Sequence, residues 1–194
     1  MTEDIRSAAA GGCGETALLA MDLQRDFLQP DGRLPIGPAQ TGPVITAMNA
    51  ALRRAARSEM TIVYVANAFS SVDPLNLTRN FAALLGSPGA ELDPRILVVP
   101  QALHVQKTSP NGFGNPGLRQ LLAARGVTRL VVGGVYADGC VLATCKAAMA
   151  LGFEIMLLAE GMGARTERAR TVAIRKLVGR GATRVGVEDA WVGR

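Results

Sequence analysis

Cys140 closes the run Val131-Val132-Gly133-Gly134-Val135-Tyr136-Ala137-Asp138-Gly139-Cys140, an apolar stretch that breaks at a tight turn before helical spacing resumes. A cysteine at a helix start faces the first free N–H groups and the positive end of the helix dipole, which lowers the thiol pKa and favours thiolate. Such a sulfur attacks acyl carbons. The other ordinary use of a free cysteine is as a small buried hydrophobe. Two distant residues favour chemistry. Asp22 follows the apolar run Thr16–Met21 and is a candidate base for the thiol proton, returning it later to a departing amine. Lys107 ends Leu103–Lys107 in a chain whose basic residues are nearly all arginine, and its charge would keep Asp22 ionised and favour thiolate.

Each residue taken alone has a plainer reading. Asp22 can cap a turn, and Asp26 competes for the catalytic role. Lys107 can pair with a surface carboxylate, Asp138 reads as an N-cap, and Cys145 points away from Cys140 into the core. His104, the single histidine, sits mid-strand and reads as structural.

The elements that position these residues alternate. Strands are expected at Thr16–Met21, Thr61–Val65, Leu103–Lys107, Arg129–Gly133, Glu154–Leu158 and Thr183–Val187. Helices are expected behind Pro43 as first helical residue, from the cap Asn115 with Pro116 through Ala124, over Val141–Leu151 to Gly152, and over Glu167–Val178. Apolar strands separated by helices predict a Rossmann-like three-layer α/β/α fold with a central parallel six-stranded sheet. Ligands bind such sheets beyond the carboxyl ends of the strands, where Asp22, Lys107 and Cys140 all fall. Residues 67–101 are irregular and proline-rich, as expected of a segment covering a substrate.

Composition bounds the rest. Residues 16–194 are expected to form one domain. Residues 1–15 lack the apolar stretch of a signal peptide and are expected to be a flexible tail. The net charge is +5, but the basic residues are scattered and only 4% of residues are aromatic, so nucleic acid is not the expected partner. No apolar run reaches membrane-spanning length, so no membrane partner is expected. Cys13, Cys140 and Cys145 form no disulfide framework, and a reducing, cytoplasmic setting fits them.

The ordered set resembles the isochorismatase-like cysteine hydrolases: Asp22 in Met21-Asp22-Leu23-Gln24-Arg25-Asp26-Phe27, Lys107 in Val105-Gln106-Lys107-Thr108, and Cys140 after Gly134-Val135-Tyr136-Ala137-Asp138-Gly139. Ser87-Pro88-Gly89-Ala90-Glu91-Leu92 and Asn111-Gly112-Phe113 are also similar, and the resemblance spans about residues 16 to 190. It implies a catalytic Asp22, Lys107 and Cys140 and a cis peptide between Val135 and Tyr136. An oxyanion hole is expected from the N–H groups of Tyr136 and Cys140. Nicotinamidases, one branch of the family, carry an Asp and two His metal ligands after the second strand. Here Asn67 to Pro74 contains no histidine, so neither metal nor cofactor is expected. True isochorismatases lack the cysteine, so its presence points to carbon–nitrogen hydrolysis. The family commonly has Thr at the position of Ala137 and Asp at that of Glu160, which leaves the substrate open.

The expected function is therefore a metal-independent cysteine amidohydrolase, cleaving an amide, carbamoyl, ureido or lactam bond of a small molecule through a thioester. Gln24, Phe27, Phe69, Asn111, Phe113 and Tyr136 are the candidate substrate-binding residues. The alternatives are a hydrolase of a non-amide bond, or a silent binding or scaffold protein of the same fold. Family members are often oligomeric, so a homo-oligomer is expected, with Ala190-Trp191-Val192 as a candidate contact.

Overall fold

The computed structural model describes residues 15–189. The 1–14 stretch of the expected tail, Cys13 and Ala190-Trp191-Val192 lie outside the described residues, whereas Glu15, assigned to the tail, opens the first strand. The elements are β1 (Glu15–Met21), α1 (Arg25–Leu28), α2 (Pro38–Arg57), β2 (Thr61–Asn67), β3 (Leu103–Lys107), α3 (Pro116–Ala123), β4 (Val127–Val135), α4 (Leu142–Ala150), β5 (Glu154–Gly163), α5 (Glu167–Val178) and β6 (Thr183–Val185). All six strands pair in parallel in the order β3-β2-β1-β4-β5-β6. The chain winds outward from β1 in one direction and from β4 in the other, so the strand order reverses between them, where such sheets bind ligands.

Alternation along the strands divides the core into two layers. Ala17, Leu19 and Met21 of β1 face Leu118 and Leu122 of α3, Cys145 and Ala148 of α4, and Ile174 and Leu177 of α5. Leu18 and Ala20 face Val44, Met48, Ala51 and Leu52 of α2 together with Ala82, Ala83, Ile96 and Val99. On this second face one helix leaves part of the sheet uncovered, and irregular chain from 68 to 99 completes the layer. The segment is tied down accordingly. Asp93 N donates to Leu23 O (2.9 Å), Arg25 N to Glu91 O (3.0 Å), and the Tyr64 hydroxyl to Leu97 O (2.6 Å).

α2 departs from expectation. It starts at Pro38, and Pro43 lies inside it rather than at its first turn. The apolar face of Val44, Met48, Ala51, Leu52 and Ala55 gains enough from burial to tolerate the one backbone donor that Pro43 lacks. β4 and β5 run to Val135 and Gly163, past Gly133 and Leu158 where they were expected to stop. These glycine-bearing ends are buried between layers, so tertiary packing extends strands that local composition would end.

One glycine is obligatory for the site. Gly134 has φ +122°, and a Cβ there would lie 2.0 Å from Met21 O. Gly134→Ala would force β4 away from β1 at the point where both strands present site residues. It is expected to lower stability by about 3 kcal/mol or more, read as a drop in the urea midpoint.

Candidate active site

Asp22 is the first residue beyond β1 and has φ +52°, in the left-handed region that non-glycine residues seldom enter. Its N–H donates to Val65 O at 2.7 Å, which holds the turn against β2. The side chain is buried, and so is that of Lys107 at the end of β3. Lys107 Nζ lies 3.0 Å from Asp22 Oδ2 and 3.4 Å from Cys140 Sγ. The three residues of the expected constellation therefore meet at the point where the strand order reverses.

Cys140 does not open a regular helix. Ala137–Val141 form a wide turn of π type ahead of α4, with Gly139 N and Val141 N both donating to Tyr136 O at 3.0 and 3.1 Å. Single π turns of this kind recur at functional sites. The peptide between Val135 and Tyr136 is cis, as the resemblance implied. Tyr136, not Asp138, takes the cap position; it makes no side-chain cap, and Asp138 is exposed.

The electrostatics differ from expectation. Burial, and after it the Asp22 carboxylate, push the Cys140 thiol up to about 12, while Lys107 pulls it down. The lowered thiol pKa expected from a helix start is absent because the sulfur faces a carboxylate in a water-poor pocket. Burial also raises the Asp22 carboxyl above the ordinary carboxylate range, with Lys107 the main opposing influence. The carboxylate and the thiol each act on the other's pKa, an arrangement suited to transferring a proton during attack rather than to storing a thiolate.

Asn67 was not among the expected site residues. It ends β2, pairs in register with Lys107, accepts from Lys107 Nζ at 2.6 Å through Oδ1, and directs Nδ2 at Cys140 Sγ at 3.8 Å. No sequence signal singled it out: the second strand was expected to end at Val65, and the lysine beside Asn67 is brought there by strand pairing.

The candidate substrate residues divide. Gln24 is fully engaged in structure: Nε2 donates to Asn67 O and Ala90 O, both at 2.7 Å, and Oε1 accepts from Asn67 N at 2.9 Å. Asn111 Oδ1 caps Phe113 N at 3.0 Å. Phe27 packs edge-on against Tyr136 with ring centroids 5.7 Å apart, and Phe69 lies beneath Arg79, whose guanidinium carbon is 4.0 Å from the ring centroid. These three rings belong to the layer of α2, whereas Phe113 pairs with Phe153 on the opposite face of the sheet. The Tyr136 hydroxyl donates to Leu34 O, and burial raises its pKa. Asp26, the rival of Asp22, is an anchor: its carboxylate accepts from Arg33 N (3.1 Å) and Ala83 N (2.8 Å). His104 is exposed and stacks on Tyr64 at 5.0 Å, away from the thiol.

A cavity of about 370 Å³ opens beside Lys107, lined by Ala68, Leu85, Gln106, Thr108, Asn115 and Pro116. Another of about 410 Å³ lies at the amino-terminal ends of β2 and β3, around Thr61 and Leu103, where no site residue is placed. The first lies at the carboxyl end of β3, where parallel sheets bind ligands, and of the three clustered residues it touches Lys107 but neither Asp22 nor Cys140.

The region that carries metal ligands in nicotinamidases does not fit a metal here. Asp73 Oδ1 caps Leu75 N at 2.9 Å, its Oδ2 pairs with Arg79 at 2.8 Å, and Asn67 is held by Lys107. Among the described residues no three His, Cys, Asp or Glu side chains are grouped to hold a metal ion. Also among the described residues, no helix is long and apolar enough to cross a membrane.

Known structures repeat the fold. An isochorismatase-like hydrolase from Alkaliphilus metalliredigens superposes with TM-score 0.82 at 21% identity, over 90% of this chain and 96% of that one. Pyrazinamidase of Pyrococcus horikoshii, solved in complex with zinc, has TM-score 0.80 at 24% identity, covering 89% and 99%. N-carbamoylsarcosine amidase from Thermoplasma acidophilum has TM-score 0.80 at 22% identity, covering 91% and 99%. Identities this low establish the shared fold alone. A streptothricin hydrolase of Streptomyces noursei is 32% identical over 143 residues, 73% of this chain; the match spans only 47% of that protein, about half its length. The isochorismatase domain model matches residues 16–189, and with the sheet order and site geometry already described, the chain belongs to the isochorismatase family of hydrolases.

Proposed function

We propose that this protein is a cysteine hydrolase that cleaves a carbon–nitrogen bond of a small molecule, of the amide, carbamoyl, ureido or lactam class, through a thioester on Cys140. One observation carries the reading: Lys107 Nζ sits 3.0 Å from Asp22 Oδ2 and 3.4 Å from Cys140 Sγ, so a nucleophile, a base and a cation converge. The names of several structural neighbours, nicotinamidase, pyrazinamidase and N-carbamoylsarcosine amidase, agree with that bond type.

In the first half-reaction the thiol proton passes to the Asp22 carboxylate as Sγ bonds to the acyl carbon. The N–H groups of Tyr136 and Cys140 hold the resulting oxyanion. Collapse breaks the carbon–nitrogen bond, and Asp22 returns the proton to the leaving nitrogen. Water then gives a proton to Asp22 and attacks the thioester; the carbon–sulfur bond breaks, the acid leaves and the thiol regains its proton. No step calls on a metal. Asp22 must begin as carboxylate, and burial raises its pKa, so activity rises with pH through a midpoint above the ordinary carboxylate range.

The test is release of ammonia or amine from a panel of small amides, ureides and lactams, with rapid acid quench and mass spectrometry of the protein. The expected result is product together with an acyl adduct on the peptide bearing Cys140. Turnover accompanied by an acyl adduct on a residue other than Cys140, or undiminished in Cys140→Ala, would be incompatible with a thioester on Cys140.

A further inference from the structure

We propose that Asn67 is a positioning residue that holds the Lys107 ammonium and the Cys140 sulfur toward each other, its amide oxygen on the lysine and its amide nitrogen aimed at the thiol. The inference deepens the proposed function and rests on Cys140 being the nucleophile.

An ammonium has three protons, and Lys107 has three neighbours for them: Asn67 Oδ1 at 2.6 Å, Asp22 Oδ2 at 3.0 Å and Cys140 Sγ at 3.4 Å. The shortest contact is to the neutral amide, so Asn67 fixes the direction of the remaining two protons. Because Oδ1 is committed to Lys107, Nδ2 is the atom that faces Sγ, at 3.8 Å. An amide is the one side chain of this size that offers an acceptor to the lysine and a donor to the sulfur at once. A carboxylate would satisfy Lys107 but place a second negative charge beside Asp22 and the developing thiolate.

Asn67 is itself held. Gln24 accepts from its N–H at 2.9 Å and donates to its carbonyl at 2.7 Å, while the same Gln24 amide grips Ala90 O at 2.7 Å. The covering segment, Asn67, Lys107 and the sulfur thus form one hydrogen-bonded chain. The charged groups facing the sulfur are Asp22 from the end of β1 and Lys107 from β3, with Tyr136 of its own turn adjacent.

The test uses alkylation of Cys140 by iodoacetamide, followed peptide by peptide between pH 7 and 9, in wild type, Asn67→Asp and Asn67→Ala. Thermal unfolding is measured in parallel. Asn67→Asp is expected to slow alkylation about tenfold or more, the effect of about one unit in thiol pKa. Asn67→Ala is expected to slow it less, and both should keep a cooperative transition. A merely structural role predicts the opposite sign, because a loosened site exposes a thiol that burial protects. Alkylation at or above the wild-type rate in either folded variant overturns the proposal, and Asn67→Ala decides alone where Asn67→Asp does not fold. Turnover is scored separately. A Cys140→Ala protein that still hydrolyses removes the nucleophile on which the inference rests; an inactive one, with unslowed alkylation in the Asn67 variants, removes the inference alone.

Discussion

Cys140→Ala is expected to reduce hydrolysis by about 10⁴-fold or more while moving stability by no more than about 1 kcal/mol. The two halves of that expectation come from different parts of the structure. Activity falls because alanine leaves nothing to bond to the acyl carbon, and water held by Asp22 has no thioester to attack. Stability is spared because Cys140 is only partly buried and packs at the margin of the core, whereas Cys145, one turn on, lies wholly inside it. Cys140→Ser should be almost as inactive. Its hydroxyl is a far weaker acid than a thiol, and a carboxylate is a poor base for it. Steady-state rates on any substrate from the amide panel, beside a urea melt of each variant, check both halves. A folded Cys140→Ala protein with more than about a hundredth of wild-type activity would falsify the covalent mechanism.

Lys107→Met carries the second large effect, and it falls on stability as well as rate. Lys107 and Asp22 are both withdrawn from water, with side chains 0% and 1% exposed. Removing one partner strands the other charge and costs about 3–5 kcal/mol; replacing both, in Asp22→Asn with Lys107→Met, should cost much less than either single change. Turnover should also fall by about 10² or more as the cation beside the reacting centre is lost. The pH dependence has a definite sign. Burial lifts the folded-state pKa of Asp22 above its unfolded value. The carboxyl therefore favours the folded state at acid pH, and that contribution disappears as pH rises through the folded value. Without Lys107 the main downward pull on that value is gone, so the window extends to higher pH. Lys107→Met should be most destabilised relative to wild type near neutrality and should recover on acidification toward the ordinary carboxylate range. A destabilisation independent of pH, measured by urea melts across that span, would show that the two charges do not depend on one another.

Much of this protein is legible in its chain, and the reason is local. Short apolar strands alternating with helical patterns specify a parallel sheet, because strands buried on both faces must be apolar throughout and parallel neighbours need crossovers. Leu103–Lys107 and Glu167–Val178 have the bounds their residues predict, and Asn115 caps α3 with Pro116 behind it. Asp22, Lys107 and Cys140 could be picked out as candidates because each stands at or just beyond a strand end. What local pattern could not supply is the state of the site, since pKa and partner choice depend on groups brought together from four strands. The Cys140 thiol is raised rather than lowered because burial, and after it the Asp22 carboxylate from a distant part of the chain, disfavour the thiolate. Gln24 reads as a substrate contact but is used up by Asn67 and Ala90, and Asn67 reads as nothing in particular yet lies between the lysine and the sulfur. The sequence by itself determined the parallel sheet and pointed to Asp22, Lys107 and Cys140 as candidates, because secondary-structure period is a local property, whereas the ends of β2, β4 and β5 were set by packing. Only the tertiary structure decided which polar groups are spent on holding the fold and which are left to react, because burial and hydrogen-bond pairing belong to the assembled layers.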